Sequence, residues 1–196
     1  MDPLPSWYPF DPDETKPAPM PLLLVQAFLN TRYFEDDRDL LADPEEARSW
    51  LTSAGLLTKG AGLSAAELDF ARSMRESIRS LVDSSADKPD ALAPLRELAQ
   101  TRRPRLTVDE SGALGLSPPR GKDLGVGLFE LMLVIRGAQA DGTWSRLRAC
   151  ANPECRWVFY DRSRNRQGNW CEMAVCGNRL KNRRLRSRQR SGASDT

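Results

Sequence analysis

Histidine is absent from the 196-residue sequence, and cysteine occurs only four times. Without histidine the chain cannot form a Ser-His-Asp or Cys-His catalytic group, a metal site with imidazole ligands or a histidine pH switch. No apolar run approaches the roughly 20 residues that a transmembrane helix needs, so we expect no membrane span. An enzyme is the least expected class, because the sequence shows no paired carboxylate motif, no phosphate loop and no nucleophile motif.

The net charge of +2 conceals two blocks of opposite sign. Residues 1–145 carry 16 basic and 23 acidic side chains, a net charge of −7, and residues 146–190 carry 13 basic and 3 acidic ones, a net charge of +10. Asp195 supplies the last negative charge. The length allows one ordinary domain or two small ones. The charge division favours an acidic body that folds separately from a cationic head.

The N-terminal segment, residues 1–21, contains seven prolines and several acidic residues. This composition is unlike that of a secretory signal, so we expect a cytoplasmic protein. It is typical of an extended arm that contributes little to a core. Trp7, Tyr8 and Phe10 are the residues of this arm that could pack onto the folded body.

Apolar and capping residues indicate three helices in the first part of the chain. An apolar segment predicts a buried helix that ends near Asn30. Asp43 is a good N-cap followed by proline, and Gly55 is a natural stop for the short helix between them. Ser64 begins a capping box and a longer helix that we expect to continue to about Ser84.

The pattern of the remaining body predicts a mostly helical domain over residues 22–143. Residues 89–101 and 122–140 have the apolar spacing of helices, and residues 105–117 alternate around a turn, which favours a small antiparallel hairpin. Four charged side chains of the long third helix are expected on faces other than the apolar one: Arg72, Arg75, Glu76 and Arg79.

The cysteines follow the pattern C-x4-C-x15-C-x4-C, at Cys150, Cys155, Cys171 and Cys176. Two close pairs separated by a loop are what tetrahedral zinc needs, and four thiolates leave no open position for a catalytic water. The sequence therefore predicts one structural zinc ion. Disulfides, free core cysteines and an iron-sulfur cluster remain alternatives, although a reducing cytosol disfavours disulfides.

Residues 144–190 have the local signals of a treble-clef-like zinc module. Asn152, Pro153 and Glu154 predict a tight turn, and residues 156–160 predict a strand. A helix beginning near Asn169 would carry the last two ligands in its first turns, where its amides would stabilise the negative zinc centre. The fold expected for the whole chain is thus α+β: a helical body with a small β-hairpin, then a four-cysteine zinc module ending in a basic helix and a flexible tail, residues 191–196.

Basic side chains predict a nucleic-acid interface around and after the last ligand. Seven cations occupy the twelve positions from 179 to 190, and more arginines lie on the loop between the cysteine pairs. Candidate contacts to DNA are Arg162, Arg164, Asn165, Arg166, Arg179, Lys181, Asn182, Arg183, Arg184, Arg186, Arg188 and Arg190. Arg179 could instead be structural, paired with Asp161, and Asn165 and Asn178 could be turn or capping residues.

The run from Cys150 to Arg184, with Cys176-Gly177-Asn178-Arg179 at its centre, resembles the CGNR zinc finger. Upstream, Phe28-Leu29-Asn30-Thr31-Arg32, then Asp39-Leu40 and Trp50-Leu51, resemble the ABATE domain of bacterial stress-induced transcription regulators. The resemblance implies a zinc-dependent regulator that binds double-stranded DNA and is associated with the nucleoid. The acidic domain would dimerise, sense a small-molecule effector or contact a protein.

Two other functions fit the same residues. The basic module would also suit RNA or an RNA-polymerase-associated protein, since the aromatic residues near the cysteines could stack on bases. Clustered thiolates would also suit a redox sensor that releases zinc on oxidation. In the body, Asn30, Thr31 and Arg32 are candidates for either a ligand pocket or a packed helix end. The operator, the effector and the oligomeric state are not encoded in any motif.

Overall fold

The computed structural model describes residues 3–10, 14–83 and 89–179. The helices are α1 (Leu22–Asn30), α2 (Pro44–Ser53), α3 (Ala65–Val82), α4 (Ala93–Thr101) and α5 (Leu124–Ala140). Three antiparallel pairs form the sheets: β1 (Arg32–Tyr33) with β2 (Arg38–Asp39), β3 (Arg105–Val108) with β4 (Leu114–Ser117), and β5 (Leu147–Ala149) with β6 (Val158–Tyr160). The α+β class is confirmed. None of the helices in these ranges has the length and apolar character needed to span a bilayer.

Local capping sets the ends of α2 and α3 as predicted. The Asp43 carboxylate accepts hydrogen bonds from two backbone N–H groups of the first turn of α2, at 2.9 and 3.0 Å. Gly55 follows α2 with a φ of +76°, in the region that favours glycine. Ser64 forms the predicted capping box. Helix α3 ends at Val82, two residues before the predicted end at Ser84, which lies outside the described residues.

Helix α1 is the centre of the hydrophobic core. It contacts α3, α5 and β6, and all of its residues except Leu24 are buried. Helix α5 passes directly over the backbone that follows α2, because a Cβ at Gly127 would lie only 1.9 Å from the carbonyl oxygen of Leu56. The close approach therefore requires glycine at this position.

Two arginines of α3 point into the protein, so the expectation that they lie on faces other than the buried one is wrong. Arg75 is buried and pairs with Asp39 through two hydrogen bonds of 2.6 and 2.8 Å. Arg79 is buried and donates to the carbonyl oxygens of Leu29, at 2.5 Å, and Arg156, at 3.2 Å. Burial lowers the pKa of Arg79 to about 10, which still leaves it charged at neutral pH.

The proline-rich arm is part of the packed structure, so the expectation that it contributes little to the core is wrong. Tyr8 and Glu14 are buried. The Glu14 carboxylate accepts hydrogen bonds from the Trp157 indole at 2.5 Å and from the Tyr8 hydroxyl at 3.2 Å. The carbonyl oxygen of Lys16 accepts from the backbone N–H of Tyr160 at 2.9 Å. The arm thus connects the helical body to the cysteine-containing segment.

The cysteine-containing segment shares one hydrophobic core with the helices. A continuous cluster of buried apolar side chains includes Phe28 of α1 and Phe159 of β6. The Asn30 side chain accepts from the backbone N–H of Val158 and donates to its carbonyl oxygen, both at 2.8 Å. The expectation of two units that pack separately is therefore wrong. The boundary near residue 143 stays a prediction.

Candidate metal centre and nucleic-acid interface

The four cysteines form one cluster. Their Sγ atoms all lie within 4.8 Å of one another. The Sγ of Cys171 lies 3.6 Å from that of Cys155 and 3.7 Å from that of Cys176. Cys171 is partly exposed, whereas the other three are buried. This is a donor set of four soft sulfur atoms, brought together by two short local pairs, and it fits tetrahedral zinc.

The first cysteine pair lies on a knuckle between β5 and β6. The antiparallel register pairs Leu147 with Tyr160, and beyond it the Cys150 N–H donates to the Trp157 carbonyl oxygen at 2.8 Å. The Asn152 carbonyl oxygen accepts from the N–H groups of Cys155 and the next residue, both at 3.0 Å. This is the tight turn that the sequence predicted, and it brings both sulfur atoms to one side.

The second pair is arranged differently from the prediction. Cys171 precedes a π-helical turn at Met173–Gly177, and this turn contains Cys176. The expectation that both ligands lie in the first turns of a helix is therefore wrong for Cys171. Glu172 has an extended backbone, and its carbonyl oxygen accepts from the Cys176 N–H at 3.0 Å.

The electrostatics of the cluster favour a bound cation. Hydrogen bonds from Cys155 and Cys171 lower the pKa of the Cys150 thiol well below its ordinary value, and the hydrogen bond to Cys150 raises the pKa of both Cys155 and Cys171. Four adjacent sulfur atoms cannot all carry negative charge unless a cation lies between them. Asn152 is buried, and its Nδ2 lies 3.8 Å from the Sγ of Cys176, where it can donate to a thiolate.

The arginines on the loop between the cysteine pairs lie at the surface. Arg162 donates to the carbonyl oxygen of Pro17 at 2.7 Å, and Arg166 donates to the Ser145 hydroxyl at 3.0 Å. Arg164 and Asn165 are exposed, as are Arg162 and Arg166. The loop therefore presents three cations to solvent, two of them oriented by the rest of the protein.

Arg179 pairs with a carboxylate of the body. Its guanidinium donates to Glu35, in the loop between β1 and β2, so the predicted pair with Asp161 is wrong. The Asp161 carboxylate instead accepts from two backbone N–H groups of its own loop, at 2.9 and 2.7 Å. Asn178 donates to the carbonyl oxygen of Ala174 at 3.1 Å, which is the capping role weighed for it.

The other predicted nucleic-acid contacts lie outside the described residues. They are Lys181, Asn182, Arg183, Arg184, Arg186, Arg188 and Arg190. Their position in the chain is fixed by the sequence: they follow Cys176 within 14 residues. A role in binding nucleic acid stays a prediction for all of them.

Asn30, Thr31 and Arg32 have the contacts of a packed helix end. Asn30 holds Val158, as described above. The Thr31 hydroxyl donates to the carbonyl oxygen of Phe28 at 2.7 Å and accepts from Arg75 at 3.0 Å. Arg32 pairs with an exposed aspartate in the next turn at 2.5 Å. A packed helix end accounts for these contacts, and a ligand-binding role for the three residues stays a prediction.

A cavity of about 520 Å³ lies between the cysteine cluster and the body. Sequence reasoning did not find it, because its walls come from segments that are distant along the chain. Burial, together with the charges of Glu35 and Asp36, raises the pKa of Tyr33 in its wall to about 12. The residues that give it its aromatic and charged lining are Phe10, Glu14, Tyr33, Glu35, Trp157 and Arg179.

Comparison with known families agrees with this geometry. Residues 146–189 match the CGNR zinc finger, and residues 23–142 match ABATE, described as "Putative stress-induced transcription regulator". No curated protein matches the chain. Both are families of regulators or zinc fingers rather than of enzymes, and the clustered thiolates bind a single zinc ion. Since the second match covers more than half of the chain, the protein belongs to the ABATE family of transcription regulators and is a zinc-binding regulator with a CGNR finger.

Proposed function

We propose that this protein is a zinc-dependent transcription regulator that binds double-stranded DNA through its finger and the basic segment after it. The observation that carries the proposal is the position of the last zinc ligand. Cys176 is held in the cluster, and seven cations follow in the twelve residues from 179 to 190. Zinc would thereby fix the position of Cys176, three residues before the first of these cations.

The distribution of charge supports a polyanionic partner. Residues 146–190 carry a net charge of +10, whereas residues 1–145 carry −7. A basic segment attracts phosphates, whereas an acidic one repels them. In the described part of the finger, Arg162, Arg164 and Arg166 are exposed and contribute to this positive charge.

The helical body would supply regulation rather than catalysis, in the bacterial cytoplasm at the nucleoid. It would dimerise, bind a small-molecule effector or contact a protein. The cavity beside the cysteine cluster supports the effector role, because its aromatic and charged lining joins the body to the finger. An effector there would contact Glu35 and Arg179 together.

Fluorescence anisotropy with labelled genomic duplex fragments tests DNA binding. If five to seven cations contact phosphates, the log-log slope of affinity against salt should be about −4 to −6. Replacing Arg183, Arg184 and Arg186 by Ala should reduce that slope by about 2 to 3 and weaken binding to all sequences. The matched control replaces three exposed cations of the body by Ala: Lys59, Arg120 and Arg136.

Equal losses in the two triple variants would contradict the proposal, since both remove the same charge. Competition with structured RNA at the same salt concentration separates the two nucleic acids. We expect duplex DNA to compete more strongly. Stronger competition by RNA would instead favour the RNA-binding function.

A further inference from the structure

The β3–β4 hairpin presents an apolar face to solvent. The antiparallel register pairs Leu106 with Leu116 and Val108 with Leu114. Because side chains alternate along a strand, these four lie on the same face of the hairpin. Their exposed fractions are 69% for Leu106, 65% for Val108, 71% for Leu114 and 39% for Leu116.

This face holds half of the large exposed hydrophobic side chains that the structure describes. Of the eight large hydrophobic side chains that are exposed in the described part of the chain, four belong to this hairpin. A two-stranded hairpin is marginally stable unless other elements cover it, and a contiguous exposed apolar patch marks an interaction site. No residue in the described part of the chain therefore covers this face of the hairpin.

The rest of the chain has little with which to cover it. Outside the described ranges the apolar residues are Met1, Ala86, Leu180, Leu185 and Ala193. The two leucines belong to the segment from 180 to 190, which also carries six cations. A segment this rich in charge is a poor match for four aliphatic side chains.

The charges at the two ends of the hairpin indicate which partner covers its apolar face. Arg103 lies at the open end, where the neighbouring Arg105 donates to the carbonyl oxygen of Pro118 at 3.1 Å, and Asp109 and Glu110 lie at the turn; all four are exposed. The Asp109 carboxylate is held by hydrogen bonds within the turn, whereas Glu110 extends from its tip. One end of the apolar face is thus basic and the other is acidic.

We propose that this face is a homodimer interface, in which two hairpins pack face to face around a twofold axis and run in opposite directions. The axis brings the pair Leu106 and Leu116 onto Val108 and Leu114 of the second copy. It also brings the basic end of each hairpin onto the acidic turn of the other, so every apolar and charged contact occurs twice. The proposal does not depend on DNA binding.

Sedimentation equilibrium of the zinc-loaded full chain across a concentration series tests the dimer. We expect a dimer at micromolar concentrations, and Leu114→Glu should weaken it more than about tenfold, because it places two carboxylates in an apolar interface. Since Leu114 is exposed in the monomer, the variant should keep its zinc and its circular dichroism spectrum. The matched control is Met20→Glu, at a position that is 61% exposed and far along the chain from the hairpin.

Charge reversal tests the orientation. Arg103→Glu and Glu110→Arg should each weaken the homodimer, because each brings like charges together at both ends of the interface. A mixture of the two variants should form a heterodimer of nearly wild-type affinity, because all end contacts are again between opposite charges. A wild-type chain that is monomeric throughout the series, a dimeric Leu114→Glu variant, or a mixture that stays dissociated would each overturn the proposal.

Discussion

A single amide side chain, that of Asn30, joins the central helix to the finger. It satisfies both hydrogen-bonding groups of Val158 in the protein interior. Hydrogen bonds of this kind contribute little on formation, but a buried group left without a partner is costly. Asn30 is therefore a stability determinant at the junction.

Asn30→Ala should destabilise the protein by about 1 to 3 kcal/mol, because it leaves the buried N–H of Val158 unsatisfied, whereas the Val158 carbonyl oxygen still accepts from the Gln26 side chain at 3.1 Å. Urea unfolding of the zinc-loaded chain measures this free energy. Asn178→Ala serves as the control, since it removes one exposed hydrogen bond, to Ala174. A loss no larger than that of the control would show that Val158 is satisfied in another way.

The ion pair of Asp39 and Arg75 makes stability depend on pH. Burial alone would raise the pKa of Asp39, but the hydrogen bonds and charge of Arg75 hold it below its ordinary value. A lowered folded-state pKa stabilises the protein above the unfolded value of about 3.9, and this contribution is lost as the pH falls through the folded-state pKa. The pair therefore weakens only in acid.

Asp39→Asn should cost up to about 3 kcal/mol at neutral pH, because it removes the carboxylate that pairs with both terminal nitrogens of the buried Arg75 and leaves only Glu76, 3.0 Å from its Nε, as a counterion. Unfolding measured from pH 7 down to pH 3 should show the wild-type and variant stabilities converging in acid. Asp37→Asn is the matched control, since Asp37 pairs with Arg32 at an exposed position. A gap that stays constant with pH would contradict this assignment.

The sequence predicted the roles of some residues but not of others. The cysteine spacing was sufficient for the metal site, because the ligands lie in two short local pairs. The roles of Glu14 and Asn152 required the fold. Glu14 accepts its hydrogen bond from Trp157, 143 residues later, and no local pattern encodes a contact at that distance.

At the scale of elements, the N-terminal arm has a larger role than its composition indicates. It carries the Glu14 carboxylate to the Trp157 indole, and the Lys16 ammonium donates to the carbonyl oxygen of Trp170 at 2.7 Å. Both contacts flank the zinc cluster. The arm therefore supports the finger although it lies at the opposite end of the sequence.

Removing residues 2–17 should accelerate the loss of zinc to a chelator, because the finger would lose its packing against the arm. Absorbance of a colorimetric zinc indicator after chelator addition measures the rate. We expect an increase of several-fold, with no change on removal of residues 191–196. Equal rates in the two truncated proteins would show that the arm does not stabilise the finger.

Elements were predictable where their signals are local. The N-caps Asp43 and Ser64 define helix starts through contacts within four residues, and both were confirmed. The conformations of the arm and of the segment after Cys171 were not predicted correctly, because both depend on packing against residues that are distant in the sequence. Buried arginines on α3 show the same limit: a charged residue at a helical position indicates an exposed face unless a distant carbonyl or carboxylate accepts its hydrogen bonds.

At the scale of the whole molecule, zinc and the helical body stabilise one another. The sequence correctly separates two charge blocks, but charge is a surface property and does not show whether two blocks share an interior. The core that includes both Phe28 and Phe159 provides that link. Loss of the metal should therefore affect the helices as well as the finger.

Zinc removal by chelation, or Cys176→Ser, should increase amide hydrogen exchange in β5 and β6 and also in α1, where exchange should rise at least about tenfold. Hydrogen exchange followed by mass spectrometry resolves these segments. The end of α4 is an internal control, because it lies away from the cysteines in sequence and packs on α3 and α5. Unchanged exchange in α1 would mean that the finger unfolds alone.

The ion pair between Glu35 and Arg179 makes the body an internal competitor for the finger. In the proposed DNA complex, a phosphate that binds Arg179 must displace a carboxylate of the same chain, so this contact exchanges one anion for another. Glu35→Gln should therefore tighten DNA binding, most clearly at low salt, whereas Glu45→Gln, at an exposed position of α2, should not. Anisotropy titrations of the two variants measure the difference, and a molecule that occupied Glu35 but left Arg179 free would act in the same direction as the substitution.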